Sequence, residues 1–289
     1  MNRRTFLTTG LAATAAVCAE PRSLFADPLG LPIGCQTYPV KKSIDTDFAG
    51  TMKGLRAAGF TNIELCSPYG YKDFSSLQQY KPRELRNMLN DWGLTCISSH
   101  WAGPELFEKA DVSIAYAKEF GMTQMVIAAL GPHHTTGAET VDDVKGYVEP
   151  FNAFAEKAHA AGITAVLHNE GFVSSHIDGK PVYDMMIADL NPATTKLQFQ
   201  VSTMQQGYDP VVYFNKYPGR FISMHCQDFV KDDSTKSGYR QVALGKGIVD
   251  WKAVFKAAKT GGIKNYFVEL EEDAALMPPS VPYLKSLKV

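Results

Sequence analysis

Several features that would assign a chain of this size to a familiar class are missing from these 289 residues. There is no excess of charge: 29 Lys and Arg stand against 30 Asp and Glu, a formal balance of -1. Such a chain has no basic field for phosphate backbones, so nucleic acid is excluded as a partner and a nuclease reading is weak. No apolar run approaches the roughly 20 residues of a membrane span, which argues against stable membrane insertion. There is no CxxC pair, so a zinc-thiolate site is not expected. Cys35, Cys66, Cys96 and Cys226 sit in or just after apolar runs, where a thiol serves as a small buried hydrophobe, and they are expected to be free. No Pro/Ser-rich linker or low-complexity tract marks a second domain. No P-loop occurs, and Gly34-Cys35-Gln36-Thr37 stands where a dinucleotide-binding sheet would carry GxGxxG.

What is present begins with a targeting pattern. Asn2-Arg3-Arg4-Thr5-Phe6-Leu7, followed by the Ala/Thr/Gly-rich run from Thr8 to Ala19, resembles a twin-arginine export signal. Residues 1–26 are therefore set aside as signal and linker, with cleavage expected after Ala19 or Ala26. Val17 precedes Cys18 where a small residue is usual, so a lipid anchor at Cys18 is not expected. The mature protein is expected to be soluble and periplasmic, with the twin-arginine machinery as its export partner.

From residue 27 to 289 short apolar runs alternate with amphipathic helical stretches, the pattern of βα units around a parallel sheet. The strand candidates are Ile33 to Tyr38, Asn62 to Cys66, Thr95 to His100, Gln124 to Leu130, Ile163 to His168, Leu197 to Val201, Phe221 to His225 and Tyr266 to Glu269. Eight is the number a closed barrel needs, and the length suits one barrel of roughly 250 residues. Gly59, Gly93 and Gly121 each follow a stretch of helical period, as C-cap glycines do. The expected fold is a single α/β domain, a (β/α)8 TIM barrel.

Polar residues collect where the apolar runs close: Gln36, Glu64, His100, His168, Gln200, His225 and Glu269. In a parallel barrel those ends converge on one mouth, and a buried imidazole or carboxylate there is costly unless paired or liganded. His168-Asn169-Glu170, His225 with Gln227 and Asp228 behind it, and Glu269-Leu270-Glu271 would supply two imidazoles and one or two carboxylates. That set suits a divalent cation such as manganese or zinc. It equally suits a hydrogen-bonded network without metal, and spacing alone does not separate the two.

Six blocks carry a family resemblance: Gly34 to Tyr38, Asn62 to Leu65, Leu167 to Glu170, Lys216 to Phe221 running into Met224-His225, Gly245 to Trp251, and Tyr266 to Glu269. Through them the chain from Leu31 onward resembles the sugar phosphate isomerase/epimerase superfamily, the xylose-isomerase-like barrels. The resemblance implies a metal held at the ends of strands five to eight, which by position are His168, Gln200, His225 and Glu269. Gln200 stands where the family usually has Asp; an amide oxygen can coordinate but brings no charge. Glu170 stands where several relatives have His, and its carboxylate would restore the charge or act as an acid/base.

The resemblance further implies removal of a proton next to a sugar carbonyl, with a carboxylate base whose pKa burial raises towards neutrality. Glu269 is the first candidate base and Glu170 the second. Glu64 and His100 would orient hydroxyls or supply the opposite acid, and Gln36, Trp101 and Asp228 would contact substrate. Tyr69, Tyr71 and Trp251 are further candidates for a sugar platform. An exported member is expected to act on unphosphorylated carbohydrate, as an isomerase or epimerase. The alternatives are a lyase or hydratase acting on 3-keto-glycosides and a barrel that only binds sugar; the composition also leaves room for a homo-oligomer.

Overall fold

A computed structural model describes residues 28–132 and 137–289. The twin-arginine pattern and Cys18 lie outside the described residues. Eight parallel strands close into a barrel in sequential order: β1 (Gly34–Gln36), β2 (Asn62–Cys66), β3 (Thr95–Trp101), β4 (Gln124–Ile127), β5 (Thr164–His168), β6 (Thr195–Gln200), β7 (Phe221–Cys226) and β8 (Asn265–Val268). β8 returns to β1 through Gly34 beside Phe267 and Cys35 beside Val268. Each expected strand is present, and the barrel architecture is the one its alternation implies.

Strand ends differ from expectation for local reasons. β1 stops at Gln36 because its side-chain Oε1 accepts from the backbone N–H groups of Thr37 and Tyr38, which turns the chain out of the sheet. β4 stops at Ile127, and the carbonyl of Ala128 instead accepts from the backbone of Glu170 at 3.2 Å. Helices pack outside the barrel. Those at Phe48–Ala58 and Ala110–Phe120 end on Gly59 and Gly121 at φ 106° and 93°, a left-handed conformation that costs a residue with a Cβ.

Between barrel and helices the core is apolar, with Tyr183, Phe199, Phe214 and Phe221 buried against one another. Cys35, Cys66, Cys96 and Cys226 are buried free thiols, as their apolar setting implies. Among the described residues no helix is long and apolar enough to cross a membrane. An antiparallel hairpin, Asp228–Lys231 with Tyr239–Val242, rises from the end of β7 and was not legible as a strand pair in the sequence.

Candidate active site

Period-two alternation places one polar file at the barrel axis. Glu64 lies between Ile63 and Leu65, Gln198 and Gln200 flank Phe199, and Ser223 and His225 flank Met224. The register sets Gln36 beside Glu64, His168 beside Gln198, and Gln200 beside His225. Seven residues from strands remote in sequence thus meet within the mouth, with Glu269 extending β8 by one residue through its N–H to the Cys226 carbonyl.

His225 is the hub. Its Nε2 lies 2.6 Å from Glu64 Oε2 and its Nδ1 lies 2.9 Å from Glu269 Oε2. Burial works against a charged ring, but the charges of Glu269 and Glu64 outweigh it and raise the His225 pKa well above its ordinary value. The same contacts act in reverse on the carboxylates: burial pushes Glu64 and Glu269 up, and the imidazoles hold both below the usual range. This corrects the expectation of a base raised towards neutrality. Glu269 is ionised because a histidine sits against it.

Glu64 does not reach outward. Its Oε1 accepts from Ser98 and Gln198, and its Oε2 from Gln36 and His225, with His100 Nε2 at 3.2 Å. Gln36 is equally committed, donating to Glu64 and accepting from two backbone N–H groups. Both residues therefore support His225 from below and are not placed to touch a sugar.

Asp228 also departs from the sequence reading. It is fully buried, and its two oxygens accept from the backbones of Phe229, Gly245, Gly247 and Val249 and from Trp251 Nε1. The carboxylate ties down the loop before the helix Trp251–Gly261, and Trp251 packs on Phe255 in the core instead of forming a platform. Trp101 points away from the barrel axis, edge-on to Tyr116, and lines a cavity beside the mouth.

Three imidazoles meet at the top of the file. The rings of His100 and His168 lie 5.3 and 4.5 Å from that of His225, and nitrogen atoms of all three come within 4.8 Å of one another. His168 is buried and neither ring nitrogen has a hydrogen bond; Glu170 Oε1 stands 3.5 Å away. Burial, then the charge of His225, lowers its pKa and keeps it neutral. Gln200 gives its amide hydrogens to Glu269 at 2.8 Å and Glu170 at 3.1 Å, leaving Oε1 buried without a partner. Glu170, Glu269 and Glu271 bring carboxylate oxygens within 4.8 Å. Glu170 is held low, to about 2, where the contacts with His168 and Gln200 outweigh its burial. Glu271 is pushed up to about 8 by loss of water contact and by the charges of Glu269 and Glu170.

Sequence reasoning passed over Gln198 and Ser98. Gln198 donates to Glu64 and to Ser223 Oγ, both at 3.0 Å, and its Oε1 meets His100 Nε2 at 2.9 Å. With both amide hydrogens used, the oxygen can only accept, so the proton of His100 sits on Nε2. The available signal was the alternation Gln198-Phe199-Gln200, which puts two amides on one face of a strand.

A closed barrel of eight parallel strands with a His/Glu cluster at its C-terminal mouth is a TIM barrel with a candidate site where such barrels carry theirs. Residues 53–288 match the family model described as xylose isomerase-like TIM barrel, and the chain belongs to that family. No curated protein sequence matches the chain. Among solved structures, a sugar phosphate isomerase/epimerase from Parabacteroides distasonis ATCC 8503 superposes with a TM-score of 0.74 at 24% identity, covering 91% of this chain and 96% of its own. An L-ribulose 3-epimerase does so at 0.64 and 17% identity, over 90% and 87% of the two chains. The IolI protein, solved with a bound zinc atom, gives 0.66 at 13% identity over 88% and 94%. At these identities the likeness is one of fold.

Proposed function

We propose that this protein is a carbohydrate-active enzyme that removes a proton next to a sugar carbonyl, working as an isomerase or epimerase on an unphosphorylated sugar in the periplasm. The observation that carries the reading is His225 clamped between two carboxylates, one of which still offers an oxygen at the mouth. Glu269 Oε2 accepts from His225, Gln200 and Gln227, while among the described residues no hydrogen bond falls on Oε1. An ionised carboxylate whose orientation is locked through one oxygen leaves the other to accept the substrate proton. Glu170 and Glu271 flank it, and Glu271, pushed up to about 8, is the one that carries a proton to return, whereas Glu170 is held ionised. His100 is held in place from its Nε2 side by Gln198 and Glu64.

The donors also fit a divalent cation. His168 has two unpartnered buried nitrogens and Gln200 an unpartnered buried oxygen, and Glu269 adds a carboxylate; His225 would complete a nitrogen/oxygen set of the kind manganese or zinc takes only on losing the proton that its Nδ1 shares with Glu269. Glu64 beneath His225 is the carboxylate that orients a ligating imidazole. A cation so held would polarise the sugar carbonyl and stabilise negative charge on its oxygen.

Solvent exchange tests the reaction without knowing the product. In deuterated water the wild type should exchange the α-proton of a keto-sugar from a ketose and 3-keto-glycoside panel. Glu269→Gln should lose about 100-fold or more in turnover while sugar binding survives. Binding without exchange by the wild type would replace the enzyme with a sugar-binding barrel. A second reading, β-elimination from a 3-keto-glycoside, is favoured by the cavity beside Trp101, which offers room for a substituent on the sugar.

A further inference from the structure

Next to the polar cluster, on the same barrel face, lies a cavity of about 500 Å³. Its walls are the turn after β2 with Tyr71, the ends of β3 and β4 with Trp101 and Ile127, Leu130 beyond β4, and Gly146 and Tyr147 of the helix Val141–Ala160. The cavity lies at the strand ends that carry the cluster: Trp101 follows His100 on β3 with its side chain on the other side of the strand, and Ile127 is its register partner on β4. A second cavity of about 420 Å³ shares Trp101 and Gly70 as a common wall.

Among the described residues the side chains of the lining are aromatic and aliphatic, and their only polar groups are the phenols of Tyr71 and Tyr147 and the indole N–H of Trp101. Trp101 is 1% exposed and its Nε1 has no acceptor. A sugar ring carries a hydroxyl on nearly every carbon, and these side chains offer few partners for them, whereas a flat apolar ring packs against the aromatic and aliphatic walls. Aromatic walls also favour a stacked or edge-on ring.

We propose that this cavity binds an aromatic substituent of the substrate, so that the protein acts on aryl-substituted sugars, the carbohydrate half lying over the His/Glu cluster. The statement about the carbohydrate half rests on the function proposed above. The aromatic site stands on the cavity itself.

The test is binding of 4-nitrophenol, 4-nitrophenyl β-D-glucopyranoside and methyl β-D-glucopyranoside to the full protein, followed by calorimetry. The aryl glucoside should bind about 10- to 100-fold more tightly than the methyl glucoside, the range that burial of one aromatic ring provides. 4-Nitrophenol should bind alone and compete with the aryl glucoside. Gly146→Phe should abolish both: a Cβ at Gly146 meets no atom within 4 Å, so the ring is accepted by the helix and fills the cavity. Ala129→Leu, from the opposite wall, should weaken both in the same direction. Absence of 4-nitrophenol binding, or binding unchanged in both variants, overturns the proposal. Loss of α-proton exchange with intact 4-nitrophenol binding would remove the reaction and leave the aromatic site, and the converse result would do the opposite.

Discussion

A carboxylate withdrawn from water has to be met by donors, and Glu64 is met by Gln36, Ser98, Gln198 and His225. Each of those donors is thereby oriented for something else. Gln198 is the clearest case, since its commitments leave His100 no choice of tautomer when the ring is uncharged. Nitrogen-15 correlation spectra of histidine-labelled protein should show His100 protonated on Nε2, and Gln198→Leu should release that preference and cost about 1–3 kcal/mol, the price of leaving buried groups unpaired. Finding the proton on Nδ1 in the wild type would contradict the assigned amide orientation. Gln200 supports a second prediction. A neutral ligand in place of a charged one weakens cation binding, so protein purified without chelator should hold substoichiometric manganese or zinc by elemental analysis, and Gln200→Asp should raise the occupancy. If neither protein retains metal from excess ion, the four proposed ligands are hydrogen-bonding residues. That Glu64, Gln36 and Asp228 turned out to be inward supports was not legible in the sequence, because a polar residue at a strand end looks the same whether it faces ligand or neighbour.

Among the elements, β7 and the loop behind it are the most tightly interlocked. Asp228 begins the hairpin and gathers five donors from Phe229 and the segment 245–251, and a Cβ at Gly247 would fall 2.1 Å from its Oδ1. This accounts for the Gly245-Lys246-Gly247 block by close approach of backbone to a carboxylate. Asp228→Asn keeps the shape but turns an amide towards donors, so it should destabilise the fold by about 2–4 kcal/mol in chemical denaturation. A loss below about 0.5 kcal/mol would mean that the loop is held by its other contacts. Helix ends were easier to read than strand ends, since Gly59 and Gly121 announce left-handed backbone directly. β1 ends two residues early through a side-chain bond of Gln36 that no hydrophobic pattern encodes.

For the molecule as a whole, Arg3 and Arg4 carry the export proposal. Replacing both by Lys should block passage through the twin-arginine route, seen as loss of periplasmic protein on fractionation and retention of an N-terminus that precedes Ala19. Undiminished export through that route would sink the proposal. An exported, unphosphorylated-sugar enzyme is also consistent with a near-neutral chain that lacks a phosphate-binding loop. Apolar alternation, helical period and capping glycines are local properties, and they were enough to determine the eight βα units and to bring His and Glu to one face. Closure of the barrel decided the rest. His225 and Glu64 lie 161 positions apart, and Gln198 and Glu64 lie 134 apart. Only the strand register of the closed barrel brings their atoms within bonding distance, and those contacts determine which carboxylate is saturated, which is ionised and free, and where each imidazole carries its proton.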